Sequence, residues 1–126
     1  MIKEEHKKFL ARYGSEDHAN ELIEDPDDYV RAELINRPNL SSDHIDKLMN
    51  DDSTYITRRM LEPRNKYITA DHLRKAYKDY TYDKYQVIVH PNCPDDVIEK
   101  ATQSPSFDVK HMAQKIKNQR LNNKSH

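Results

Sequence analysis

Asp17-His18, Asp43-His44 and Asp71-His72 are the residues of this chain best suited to chemistry. Imidazole and carboxylate together can hold a metal ion, and a carboxylate that orients an imidazole is part of a catalytic relay. Both uses require side chains to converge. Metal–nitrogen bonds are only about 2.0–2.1 Å long, so ligands from several pairs would have to reach one point. Whether they can depends on the elements that carry them.

The pairs belong to a repeat. Tyr29, Tyr55, Tyr82 and Phe107 follow one another at intervals of 26, 27 and 25 residues. Asn39, Asn65 and Asn92 each come ten residues after a tyrosine. Asp43 and Asp96 come four residues after their asparagine, but Asp71 comes six after Asn65, so Lys66-Tyr67-Ile68 holds a two-residue insertion. Asp17 precedes Asp43 by 26 residues and joins the same column.

Each unit predicts two short helices. The first covers 29–36, 55–62, 82–89 and 107–114. Its expected buried columns are the aromatic, then Leu34, Met60, Val87 and Met112, then Ile35, Leu61, Ile88 and Ala113. The second covers 17–24, 43–50, 71–78 and 95–102, with apolar residues at i, i+3 and i+4, as in Ile45, Leu48 and Met49. Ser15, Ser41 and Thr69 stand where an N-cap belongs, and Pro94 takes that place in the last unit. Pro38, Pro63 and Pro91 close the first helices, because the residue before proline avoids the α region. An amphipathic helix over 2–13, with Ile2, Phe9, Leu10 and Tyr13 on its apolar face, ends at Gly14 and caps the stack.

This arrangement answers the question of the pairs. Each Asp falls in the first turn of a helix, where a carboxylate contributes about 0.3–1 kcal/mol through the helix dipole. Equivalent residues of stacked repeats lie about 8–10 Å apart and point the same way. His18, His44 and His72 then form a ladder that cannot close on one ion. No Gly-rich phosphate loop, Gly-flanked nucleophile or HExxH motif is present. The expectation is a chain that is not an enzyme, with no catalytic residues, no metal and no cofactor.

The 26-residue unit 25–50 resembles the variant leucine-rich repeat, a HEAT-like helical repeat of bacterial proteins. The resemblance rests on Asp25-Pro26, Val30-Arg31-Ala32, Pro38-Asn39-Leu40 and the Leu48 face. Unit 79–103 matches next best, through His90-Pro91-Asn92-Cys93-Pro94 and Ile98-Glu99-Lys100. Unit 51–78 departs by its insertion and by Pro63-Arg64-Asn65. The resemblance covers residues 15–114 and implies an all-α, right-handed solenoid in which one short helix per unit is 3₁₀. It implies no reaction. Some members of that family carry an iron–sulfur domain, for which this chain lacks the cysteines. The expected organisation is one helical-repeat domain over 1–117. Within it lie a capping helix (1–14), a half repeat (15–24), full repeats (25–50, 51–78, 79–103) and a terminal half repeat (104–117). A frayed basic tail (118–126) follows.

Composition agrees with helix. Gly14 is the single glycine of 126 residues, whereas β-hairpins and bulges lean on glycine. Cys93, the single cysteine, excludes an intrachain disulfide and a multi-cysteine metal site, and reads as a small core residue. The N-terminus MIKEEHKKFL lacks an apolar signal region, and no apolar run approaches the ~20 residues that span a bilayer. The reading is a cytoplasmic chain with no membrane partner. The net charge of −1 conceals alternating blocks: −5 over 1–36, +3 over 37–78, −4 over 79–108 and +5 over 109–126. That pattern excludes a uniform field for nucleic acid or membrane.

The candidate binding residues are basic and aromatic. Arg31, Arg58, Arg59, Lys84, Tyr85 and Lys110 fall on exposed columns of the first helices, and Arg37 and Arg64 occupy matching turn positions. Stacking would align them as a stripe suited to carboxylate or phosphate. Tyr80 and Tyr85 are available as anchors. The expected function is a protein-binding module, an adaptor or inhibitor, because stacked repeats create an extended concave surface. The alternative is nucleic-acid backbone binding through the arginine stripe and the basic C-terminal tail. Self-association through the end of the stack is a further expectation.

Overall fold

The computed structural model describes residues 2–124. Among these residues every regular element is a helix. The chain forms two compact units that divide between Met60 and Leu61.

The first unit contains α1 (Lys7–Tyr13), α2 (Glu16–Leu22), α3 (Asp28–Glu33), α4 (Ser42–Met49) and α5 (Thr54–Met60). A 3₁₀ turn, Glu4–His6, leads into α1, and another, Leu34–Asn36, ends α3. Helix α3 packs on α1 and α5, and α4 packs on α5. Leu22, Leu34, Leu48, Ile56 and Met60 fill the core between them. The second unit contains α6 (Ala70–Lys78), α7 (Lys84–Ile88), α8 (Asp95–Ala101) and α9 (Phe107–Lys124). Helix α9 packs on α7 and α8, and α6 packs on α7 and α8; Leu61, Ile68, Leu73, Val87, Ile88 and Ile98 are buried in this unit.

The caps stand where the sequence places them. Ser15, Ser41 and Thr69 accept the N–H of His18, His44 and His72, and Pro94 opens α8. A second recurring device lies at the start of each unit. Asp25 accepts the N–H of Asp27, Asp51 that of Ser53 and Asp79 that of Thr81, each at 2.9 Å. Ser104 does the same for Ser106 at 3.1 Å. These side-chain turns aim the chain into the first helix of the unit. Asp27 and Asp83 then cap α3 and α7 through the N–H groups of Tyr29 and Tyr85.

Those caps correct the expected core. The aromatic column is not buried: Tyr29 is 59% exposed, Tyr55 37% and Phe107 71%, while Tyr82 is half-buried ahead of α7. The caps set the helix phase so that Val30 and Leu34, or Ile56 and Met60, face inward at i, i+4. The aromatics stand one position away on the outer face. Helix α1 departs similarly. Its buried residue is Ala11, while Phe9 and Tyr13 are exposed and lie against each other at 5.2 Å. Gly14 has extended backbone and not the left-handed cap conformation. A glycine is needed there because a Cβ would lie 2.5 Å from the Leu10 carbonyl oxygen and 2.7 Å from His18 Nδ1.

The tail expected to fray from residue 118 is helical as far as Lys124. Ion pairs hold it: Lys117 with Glu99 at 2.8 Å, and Arg120 and Lys124 with Asp95 at 2.8 and 3.5 Å. Residues 125 and 126 lie outside the described residues.

Candidate functional site

The three Asp-His pairs divide into two kinds. His18 and His72 turn back on their own caps, where Nδ1 accepts the backbone N–H of Ser15 (3.1 Å) and of Thr69 (3.0 Å). Serine or threonine with histidine three residues later is thus a working capping box. His44 is buried and turns the other way, with Nε2 2.7 Å from Asn20 Oδ1 and Nδ1 3.5 Å from Glu16 Oε1. Among the described residues no three His, Cys, Asp or Glu side chains gather as metal ligands. Cys93 is buried, and burial pushes its thiol up to about 11. At neutral pH it is a thiol, not a nucleophilic thiolate.

The proposed stripe of cations is taken apart by the fold. Arg31 spends its guanidinium on two successive turns. Nη1 donates to the Asp25 carbonyl at 2.6 Å, and Nε and Nη2 donate to the Asp51 carboxylate at 2.9 and 3.0 Å. Nearby, burial pushes the Asp25 carboxyl up, but hydrogen bonds from Lys7 and the Asp27 N–H outweigh it and hold it below its usual range. A polar cleft of about 610 Å³ borders these turns, with Arg31 in its wall already neutralised. Arg37 is buried and donates to the carbonyls of Ala11 and Gly14, each at 2.7 Å, and of Leu10 and Ser15, each at 3.3 Å. The Leu10 and Ser15 carbonyls already accept the N–H groups of Gly14 and Ala19, so the guanidinium serves chiefly the Ala11 and Gly14 carbonyls at the end of α1. Arg37 was expected at a turn position of the stripe; the open end of α1 draws its side chain inward.

Arg59 lies over the Tyr55 ring and donates to its hydroxyl at 3.0 Å, while Arg58 is exposed. In the second unit, Arg64 pairs with Glu62 at 2.8 Å. Lys84 donates to the Tyr77 carbonyl and lies 4.7 Å from the centre of that ring, so it is a packing residue. Lys110 is exposed, and Tyr80 is 92% exposed.

Exposed aromatic rings remain as the distinctive surface. In the first unit, the Tyr29 and Tyr55 rings lie 5.0 Å apart, tilted by 56°. Lys8 lies 5.8 Å from the first ring and Arg59 5.8 Å from the second. In the second unit, Tyr85, Phe107, Asp108, His111, Met112 and Lys115 line a groove of about 350 Å³. Sequence reasoning missed both sets except Tyr85 and Arg59, because it placed the aromatic column in the core.

No protein-family model, no curated protein and no solved structure matches the chain.

Proposed function

We propose that this chain is a non-catalytic protein-binding module of the variant leucine-rich repeat kind, its units continuing as a right-handed solenoid. The recurrence of cap and turn chemistry at the repeat interval supports that architecture. The residues with catalytic chemistry have structural tasks: His18 and His72 complete caps, His44 and Cys93 are buried. That supports a role in binding.

The observation that carries the reading is the outward aromatic column. Tyr29 and Tyr55 hold equivalent places in two repeats, and each leaves part of its ring exposed. Large exposed rings braced by cations make rigid contact area at low entropic cost, as interface anchors do. The expected partner is a protein that carries carboxylates opposite Lys8. The arginine stripe for nucleic acid loses Arg31 to the Asp51 carboxylate and Arg37 to buried carbonyls, which weighs against that alternative.

The test is affinity capture from the native host's lysate, with nuclease and at two salt concentrations, using wild type and a Tyr29→Ala/Tyr55→Ala double variant. The expected result is a protein that survives nuclease and salt and is lost from the double variant. Capture that disappears with nuclease, or that the double variant retains, overturns the reading.

A further inference from the structure

We infer that the groove between α7 and α9 is a second docking site, and that its occupant is an acidic peptide segment with an apolar anchor. The site is distinct from the Tyr29–Tyr55 face.

Two independent features define it. The first is a pre-formed apolar recess. Phe107 is 71% exposed and stacks on His111 at 3.9 Å, and Tyr85 and Met112 complete the walls. The rings are fixed from below. Val109 and Ala113 are buried on the opposite face of α9, and His111 Nδ1 lies 3.0 Å from the Phe107 carbonyl oxygen. Since a carbonyl only accepts, Nδ1 carries the hydrogen, and Nε2 of the neutral ring is left as an acceptor. A leucine or phenylalanine side chain would enter this recess without any need to order the walls first.

The second feature is unbalanced charge. Residues 109–126 hold five basic side chains and no acidic one. Lys117 pairs with Glu99, and Arg120 and Lys124 share Asp95. Lys110 and Lys115 have no ionic partner among the described residues. Lys115 lines the groove, whereas Lys110 is exposed elsewhere on the same helix. An acidic segment would supply the missing carboxylates. Asp108 also lines the groove and opposes such a segment, so the two charges should respond to substitution with opposite sign.

The experiment is selection of a random peptide display library on the full chain, followed by affinity measurements with a selected peptide. The expected peptides pair an apolar or aromatic residue with Asp or Glu. Phe107→Ala should weaken binding about tenfold or more, Lys115→Glu should weaken it, and Asp108→Asn should strengthen it a few-fold. Tyr29→Ala/Tyr55→Ala should leave it unchanged, which separates this site from the proposed partner face. Thermal melts of each variant confirm that it folds. Basic peptides, no enrichment over Phe107→Ala, or competition by a single-stranded oligonucleotide in place of the peptide would each overturn the inference. So would concentration-dependent dimers abolished by Phe107→Ala, which would make a second copy the occupant.

Discussion

Arg37 and His90 hold the same place in two repeats, each directly before a proline, and both turn inward. Arg37 uses a charged fork that reaches four carbonyls around the end of α1. His90, fully buried in the second unit, uses a neutral ring. Its Nδ1 accepts the Asn92 N–H at 3.0 Å, so Nε2 carries the hydrogen and faces the Asn65 carbonyl at 3.3 Å. Both satisfy backbone that would otherwise be buried without a partner. The difference is the number of carbonyls to be met. A helix end with several open carbonyls rewards a fixed cation with many donors; a tight turn with one donor and one acceptor suits imidazole.

Removing the charged solution should cost most. Arg37→Ala is expected to destabilise the first unit by about 3 kcal/mol, because a charged donor is lost and buried carbonyls are stranded. Arg37→Lys should recover only part, since an ammonium cannot span both pairs of carbonyls. Urea denaturation measures both, and equal stability of Arg37→Ala and wild type would break the comparison.

The neutral solution should cost somewhat less but depend on pH. Burial lowers the pKa of His90 below its ordinary value, against hydrogen bonds that the ring donates to the Asn65 and Glu62 backbone, which raise it. The unfolded chain, titrating near about 6.5, therefore takes up this proton first. Stability from neutral His90 is fully present above about pH 6.5 and is lost as pH falls toward the lowered folded value. His90→Gln should lose about 1–2 kcal/mol at neutral pH and show a flatter decline on acidification than wild type. A parallel decline in the two proteins would assign the pH dependence elsewhere.

Cys93 offers a local readout of the same region. Its buried thiol should react with a thiol reagent far more slowly than a free cysteine, and His90→Gln should speed labelling roughly tenfold at neutral pH. Immediate labelling of the wild type would contradict its burial. The smallest effect belongs to the outer column. Tyr29→Ala should change stability by no more than about 0.5 kcal/mol, whereas Leu34→Ala, one turn on and fully buried, should cost about 3 kcal/mol. A large loss at Tyr29 would return the aromatics to the core.

Cap positions were legible in the sequence because capping is local. A serine or threonine two residues before an Asp needs no distant partner to accept an N–H, and Ser15, Ser41 and Thr69 all do so. The direction of the aromatic column was not legible. A repeat interval shows that residues are equivalent, not which way they face, and the phase depended on Asp27 and Asp83. The column that sets the turns, Asp25, Asp51 and Asp79, was present at repeat spacing and is the signal that would have corrected it. His44 shares the local pattern of His18 and His72. Its opposite orientation depends on Asn20, 24 residues earlier, which no local rule contains. Of the binding residues, Tyr85 lines the groove of the second unit, while Arg31 and Arg37 were claimed by backbone and carboxylate.

The two extra residues near Lys66 have a practical meaning. Asn65 closes its turn by accepting the Tyr67 N–H at 3.0 Å, and Asn92 donates to the Ile68 carbonyl at 2.8 Å, so the lengthened segment is anchored at both ends. Between those anchors Lys66 is exposed. The chain already carries added length at this point, which makes it the natural place to splice in a fluorophore tag or an epitope.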